Sequence, residues 1–338
     1  MKFDYIIGNP PYQDDRQENG MASLPIYHQF MASSYEIGQA VEMITPASFL
    51  WNEGRTPKGW NQQMLEDPHL KVVEYDHDAN GNDANPAHGR KDNHGEVVIT
   101  FRDASKQFDA IRVFTPNETM NQILAKVRPF WKKGTLSSCF LSAAKWNKNK
   151  LSMDYPHVRE TVRRVMDRDF AGDCFHEEKE EGDVLICGIE NGVRQKKWIS
   201  PSYMDGGESF LDGYKIMMPK TDGKGKFGVA LTQPEILSPG SGFTNSFFGI
   251  GVFQSIEEAK AAQSYMKTKF VRSLLGVRKN KQDMNAEKLS CVPIQNFTSS
   301  SQINWTESIS QIDQQLYRMY GLKEDEISLI ESHVQAME

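Results

Sequence analysis

The sequence predicts an α/β layer followed by a mixed α+β domain that ends in a helical tail. Over the first hundred residues, short apolar runs of strand character alternate with helix-like stretches. From about residue 104 the pattern changes to short strands and Gly-rich turns, and the longest helical stretches lie near the end. A chain of 338 residues can form two ordinary domains, each with its own core. We therefore expect domains at 1–104 and 105–300, with a tail at 301–338.

The first region reads as a series of strands and helices in alternation. Strands are predicted at Phe3–Gly8, Val41–Thr45, Leu70–Tyr75 and Glu96–Arg102, and helices at Pro25–Tyr35 and Pro57–Leu65. Residues 76–95 are rich in Gly, Asn and Asp, and they are predicted to form a loop. The alternation favours a mostly parallel sheet.

The second region is less regular. Helices are predicted at Asn117–Val127, His157–Arg168 and Ile256–Leu275, with one or two more within Ile303–Met337. Short strands and turns are expected between residues 182 and 254. No internal repeat or low-complexity segment interrupts this order.

The composition, with 38% apolar and 25% charged residues, is that of a globular protein. No apolar run reaches the 18 residues or so that a membrane helix needs. The first twelve residues hold only a short apolar stretch and do not resemble a signal peptide. The four cysteines form no CxxC pair, which favours a reducing cytoplasm over a disulfide framework. His28, His88 and His94 have no ligand partner at a suitable spacing, so no metal site is predicted.

Positive charge is concentrated in the second region, although the net charge is −6. Residues 191–230 hold seven Lys and Arg against four Asp and Glu, and residues 255–290 hold eight against four. Cations on turns and helix ends can bind phosphates. Solvated surface side chains are the alternative explanation. The candidates are Arg194, Lys196 and Lys197 between two strands, Lys220, Lys224 and Lys226 in a loop, and Arg278, Lys279 and Lys281 after a helix.

One motif carries chemistry, namely Asn9-Pro10-Pro11-Tyr12, which directly follows the first strand. Open α/β sheets bind ligands at the carboxyl ends of their strands. An adenine amino group is a poor nucleophile, and two acceptors for its N–H groups would direct its lone pair at an incoming methyl. The Asn9 side-chain oxygen and the Pro10 carbonyl, held rigid by two prolines, are suitable acceptors. Tyr12 offers a flat face on which an extruded base can stack.

The segments IIGNPPYQ, IYHQF and MITPASFLW resemble the gamma-type adenine-N6 DNA methyltransferases of type II restriction-modification systems. Further similarity lies in GIENGVRQKKWISPSYM, YKIMMPKTDGKGKFG, FFGIGVFQSIEEAKAAQSYMKTKFVRSLLGVRKNKQ and VPIQNFTSSSQINWTESISQIDQQLYRMYGL. The resemblance implies half of a Rossmann-like methyltransferase sheet followed by a target-recognition domain. It also implies base flipping in double-stranded DNA and S-adenosylmethionine as the methyl donor.

The family's cofactor motif precedes the NPPY strand, whereas this sequence starts two residues before that strand. We therefore expect an unpaired sheet edge along this strand and a partner chain that supplies the cofactor-binding half. A GxG lies within Phe247–Phe253, but bulky residues follow it, so we interpret it as an ordinary strand. The alternatives are a non-catalytic DNA-binding specificity subunit or an inactive remnant. A methyltransferase that acts on RNA or protein fits the recognition region less well.

Overall fold

The computed structural model describes residues 3–14, 24–52, 55–76, 96–156, 174–205, 211–221, 233–278 and 284–337. Internal contacts divide the chain into two compact units, Met1–Asn117 and Glu118–Glu338. The division into functional domains at 1–104, 105–300 and 301–338 stays a prediction. The predicted loop at 77–95, the helix at His157–Arg168 and the cations Lys224, Lys226, Lys279 and Lys281 lie outside the described residues.

The first unit is built on a four-stranded sheet with the order β1-β2-β4-β3. Its elements are β1 (Phe3–Gly8), α1 (Tyr27–Ile37), β2 (Gly38–Pro46), a 3-10 helix (Ala47–Trp51), α2 (Lys58–Glu66), β3 (Leu70–Asp76) and β4 (Val97–Asp103). Each predicted strand and helix is present, with ends shifted by at most three residues.

The prediction of a mostly parallel sheet is wrong. Only β1 and β2 pair in parallel, whereas β4 is antiparallel to both β2 and β3. A parallel pair needs a crossover connection, which α1 provides between β1 and β2. β3 and β4 are consecutive strands that pair directly as antiparallel neighbours.

The core of the first unit lies between the sheet and its helices. Met31 of α1, Val41 of β2 and Leu70 of β3 are almost fully buried there, with Phe49 and Leu50 of the 3-10 helix. The turn from α1 into β2 requires a glycine, because a Cβ on Gly38 would lie 2.7 Å from the Val41 side chain. This close approach fixes how α1 leads into β2.

The second unit is a mixed α/β structure, as predicted. Its strands are β5 (Phe140–Leu141), β6 (Val184–Glu190), β7 (Val193–Ile199), β8 (Tyr214–Pro219), β9 (Glu235–Leu237), β10 (Ser241–Phe243) and β11 (Phe247–Phe253). They form two sheets with the orders β10-β6-β7 and β5-β11-β8-β9. Its helices are α3 (Glu118–Val127), α4 (Lys148–Asp154), α5 (Ile256–Lys267), α6 (Lys269–Arg278), α7 (Ile309–Met319) and α8 (Glu324–His333), and its 3-10 helices are Arg128–Lys133, Leu136–Cys139, Pro201–Tyr203 and Ala286–Cys291.

The single helix predicted at Ile256–Leu275 is instead two helices, α5 and α6, that meet at Thr268. The buried Thr268 hydroxyl donates to the Tyr265 carbonyl and accepts from the Val271 N–H. Asp313 accepts hydrogen bonds from the first two N–H groups of α6, so the second helix begins with a cap. The helical tail is confirmed as α7 and α8. Across the ranges that the structure describes, no helix is both long and apolar enough to cross a membrane.

Candidate functional site

The NPPY motif lies at the carboxyl end of β1, beside the carboxyl end of β2. The two strands run in parallel, with Gly8 opposite Met43, so residues 9–12 and the end of β2 reach the same edge of the sheet. The loop is fastened to the chain that leads into α1. Ile26 N–H donates to the Tyr12 carbonyl at 3.1 Å, and Asp14 N–H donates to the Leu24 carbonyl at 3.0 Å. The pairing of β1 with β2 therefore holds the start of the motif, and these two bonds hold its end.

The side chains of the motif differ in their exposure. Asn9 is exposed, Pro10 is buried and Tyr12 is half-buried. Burial raises the pKa of Tyr12, and a hydrogen bond with the Asn9 side chain opposes that rise. Asn9 therefore lies at the surface of the protein and in hydrogen-bonding contact with Tyr12.

The Pro10 carbonyl is the second acceptor that the sequence predicts. Within the part of the chain that the structure describes, this carbonyl accepts no hydrogen bond. The structure thus brings Asn9 and Tyr12 together and leaves the Pro10 carbonyl available among the described residues.

Several buried polar atoms of this unit have no hydrogen-bond partner among the described residues, including His28 Nδ1, Thr45 Oγ1 and Trp60 Nε1. The His28 and Trp60 rings pack edge to face with centroids 5.6 Å apart, and burial lowers the pKa of His28. His28 lies two residues after Ile26, whose N–H donates to the Tyr12 carbonyl. The sequence analysis considered His28 only as a metal ligand and did not single out Thr45 or Trp60.

β1 is the edge strand of the described sheet. Its outward side chains are apolar but exposed, with Phe3 at 46%, Tyr5 at 51% and Ile7 at 71% exposure. Ile6 points the other way and packs against the buried core. The unpaired edge that the sequence predicts is therefore present among the described residues, and the apolar face beside it is exposed. Such an edge can accept a further strand.

The GxG stretch is an ordinary strand, as predicted. Gly249 and Gly251 lie within β11, which pairs with β5 and β8. A Cβ on Gly249 would lie 2.8 Å from the Phe243 ring, so the absent side chain makes room for packing between elements. No cradle for a cofactor forms at this position.

The predicted DNA-binding cations are only partly described. Arg194, Lys196 and Lys197 lie within β7, so the prediction that they lie between two strands is wrong. Arg194 and Lys196 both pair with Glu235, at 3.2 and 2.6 Å. Lys197 pairs with two carboxylates, those of Glu190 and Glu177. Lys220 bonds to Asn245, and Arg278 is the last residue of α6.

A group of possible metal ligands that the sequence analysis did not consider lies in the second unit. His176, Glu180 and Asp183 place their ligand atoms within 4.8 Å of one another. The spacing of four and then three residues could have drawn attention to them. Asp183 already accepts hydrogen bonds from the His176 ring and the Glu180 N–H, and these bonds close the turn before β6.

Comparisons with known proteins identify a likeness for the NPPY region. Residues 1–80 match the Eco57I restriction-modification methylase family, so this part of the chain is similar to restriction-modification methylases. The type IIL restriction-modification enzyme MmeI, solved in complex with DNA, aligns with 98% of the chain at 10% identity and a TM-score of 0.40. The type IIG restriction endonuclease BpuSI aligns with 94% of the chain at 10% identity and a TM-score of 0.33. The chain spans 56% and 49% of these two proteins, and no curated protein matches it.

Proposed function

We propose that this chain takes part in site-specific adenine-N6 methylation of double-stranded DNA within a restriction-modification system. The observation that carries the proposal is the NPPY motif at the carboxyl end of β1. There Asn9 is exposed and the Pro10 carbonyl has no partner among the described residues. The match of residues 1–80 to a methylase family supports the same reaction class.

The reaction needs an adenine that has been turned out of the duplex, because its N6 is inaccessible within the base stack. The Asn9 oxygen and the Pro10 carbonyl would each accept one N6 hydrogen, which directs the nitrogen lone pair away from both. Pro10 and Pro11 fix the backbone before the base arrives, and preorganised dipoles of this kind stabilise a transition state most effectively. Tyr12 would stack on the base while it keeps its hydrogen bond to Asn9.

S-adenosylmethionine is the proposed methyl donor, but the described residues do not fit it. The GxG of β11 packs against Phe243 and forms no cradle. We propose that a partner chain supplies the cofactor-binding half and adds its strands beside the open edge of β1. The exposed side chains of Phe3, Tyr5 and Ile7 would be covered by that half.

The test uses the chain with its partner half, duplex DNA and radiolabelled S-adenosylmethionine. We expect Asn9→Ala and Tyr12→Ala to lower methyl transfer by about 10²-fold or more, the effect typical of one lost polar contact to a transition state. Tyr12→Phe is the matched control, since it keeps the aromatic face and removes only the hydroxyl. It should retain most of the activity, and all three variants should bind DNA. Undiminished methylation by both alanine variants would refute the proposal.

A second candidate function is a DNA-binding specificity subunit without catalysis, favoured by the lack of a cofactor cradle in β11. Isothermal titration of the chain alone with S-adenosylmethionine separates the candidates. Measurable binding favours a self-sufficient enzyme. No binding favours a half-enzyme or a specificity subunit, and the Asn9→Ala comparison in the assembly then decides between these two.

A further inference from the structure

The second unit contains a polar pocket of about 570 Å³ that none of the motifs above includes. Two lysines, two asparagines and one aspartate contribute polar side chains to its lining, namely Lys145, Asn147, Lys148, Asn149 and Asp205. The pocket therefore offers cationic donors together with an anionic acceptor.

The pocket is built on two backbone segments that pair with each other. Asp205 N–H donates to the Lys145 carbonyl, and Asn147 N–H donates to the Tyr203 carbonyl, both at 2.8 Å. Trp146, between the two pocket residues, is buried in a core cluster of this unit. The Asn147 side chain caps α4 by accepting from the Lys150 N–H. These contacts hold the backbone of the pocket in place, whereas its charged side chains stay at the surface.

The charges in the pocket have no partners among the described residues, unlike the cations of β7 and Lys150 of α4. Among the described residues, the side chains of Lys145, Lys148, Asn149 and Asp205 make no hydrogen bond or ion pair. Lys150, only two residues after Lys148, pairs with Asp154 at 2.9 Å. The cations that the sequence predicted to bind DNA on β7 are likewise held by carboxylates.

We propose that this pocket is a contact site for duplex DNA, in which Lys145 and Lys148 bind phosphates and Asp205 accepts a hydrogen bond from a base. Two unpaired ammonium groups attract phosphate oxygens. A carboxylate would repel a ligand that carries phosphates alone, so Asp205 indicates a ligand that also has a donor. The cytosine N4 amine is such a donor, and aspartate is a usual acceptor for it. This inference rests on the proposed function, since that function brings DNA to the chain.

The phosphate contacts are tested by the salt dependence of binding. The full chain is titrated against a fluorescent 30-bp duplex at several salt concentrations. Each phosphate contact contributes close to one unit to the slope of log K against log salt, so Lys145→Gln and Lys148→Gln should each lower the slope by about 1. Lys150→Gln removes the same charge from the same helix but from an existing ion pair, and it should leave the slope unchanged. Equal slopes for the Lys148→Gln and Lys150→Gln variants would overturn the assignment.

The base contact is tested by selection from a random duplex library. Asp205→Asn should change the selected DNA sequence at one or two base pairs. Asp154→Asn is the control, because it removes the carboxylate that pairs with Lys150, and it should select the same DNA sequence as the wild-type protein. An unchanged sequence for the Asp205→Asn variant would overturn the base contact.

The outcomes separate the two proposals. If the wild-type chain shows no salt-dependent binding and enriches no sequence, the proposed function fails, and the pocket assignment fails with it. If the wild type binds but the pocket variants behave as their controls, only the pocket assignment fails. Binding of free dCMP that Lys148→Gln abolishes, with duplex binding unchanged, would assign the pocket to a small nucleotide and overturn the inference.

Discussion

Two sets of buried polar groups, one in each unit, differ in whether they have hydrogen-bond partners. In the first unit, His28 Nδ1, Thr45 Oγ1 and Trp60 Nε1 are buried without a hydrogen-bond partner among the described residues. In the second unit, two buried charged side chains have close partners. Lys215 donates to the Ser241 carbonyl at 2.8 Å, and Glu326 pairs with Lys126 at 2.5 Å.

This difference separates groups that stabilise a fold from groups that are kept available. A buried polar atom without a partner costs about 1–3 kcal/mol of stability. Proteins tolerate such a cost at functional sites, and these unpartnered atoms lie in the unit that carries the proposed base site. In the second unit, the partners offset part of the cost of burying a charge. The comparison predicts that removal of the partner of a buried charge destabilises the protein, whereas substitutions of the unpaired groups leave stability nearly unchanged.

The largest effect on stability is expected for Lys126→Ala. Lys126 joins α3 to the fully buried carboxylate of Glu326 and also donates to the Gly321 carbonyl. Its loss leaves a buried charge without its cation, which typically costs about 3–5 kcal/mol. Lys150→Ala breaks the exposed pair with Asp154 and should cost only about 0.3–0.5 kcal/mol. Urea denaturation at neutral pH measures both, and similar values for the two variants would break the comparison.

The next effect is a pH dependence from Lys215. Burial lowers the pKa of this lysine to about 8, from 10.5 in the unfolded chain. The unfolded state therefore binds more protons between pH 8 and 10.5, so the free energy of unfolding should rise with pH across this window. The pKa shift corresponds to a cost of about 3 kcal/mol for burying the ammonium group. This cost destabilises the folded protein below pH 8, where Lys215 is protonated. Lys215→Met removes this titration. The stability of the wild type relative to the Lys215→Met variant should therefore increase from pH 8 to 10.5, and a constant difference would contradict the prediction.

A smaller effect is expected for Gly249→Ala in β11. The new methyl would lie 2.8 Å from the Phe243 ring, and overpacking of this kind costs about 1–3 kcal/mol. Gly240→Ala places a methyl in open space but at a positive φ of 75°, so it reports backbone strain without a clash. If Gly249→Ala instead leaves stability intact and weakens binding of S-adenosylmethionine, the assignment of β11 as an ordinary strand is wrong.

Local patterns were sufficient to predict much of the first unit. The apolar run Phe3–Gly8 broken by Pro10 predicted both β1 and the position of the site at its carboxyl end. The antiparallel pairing of β4 with β2 and β3 was not predictable in the same way, because strand pairing depends on contacts between residues far apart in the chain.

The errors in the second unit have the same physical origin. The helix break at Thr268 depends on Asp313, which lies more than forty residues later. The partner of Arg194 and Lys196 is Glu235, about forty residues away. A count of Lys and Arg within a segment detects positive charge but not the carboxylates that neutralise it, so the count selected Lys196 and overlooked Lys145.

The smallest effect, and the sharpest test of the comparison, is expected for Thr45→Val. Thr45 is fully buried, and its hydroxyl has no partner among the described residues. Valine has nearly the same shape, so it should leave the free energy of unfolding unchanged or raise it by up to about 1 kcal/mol. Thr56→Val is the matched control in the same unit, because the Thr56 hydroxyl donates to the buried Asn61 side chain at 2.7 Å. It leaves that acceptor unpaired and should destabilise by about 1–3 kcal/mol. A loss of more than about 1 kcal/mol in the Thr45→Val variant would show that this hydroxyl supports the fold, and it would then belong with the paired groups of the second unit.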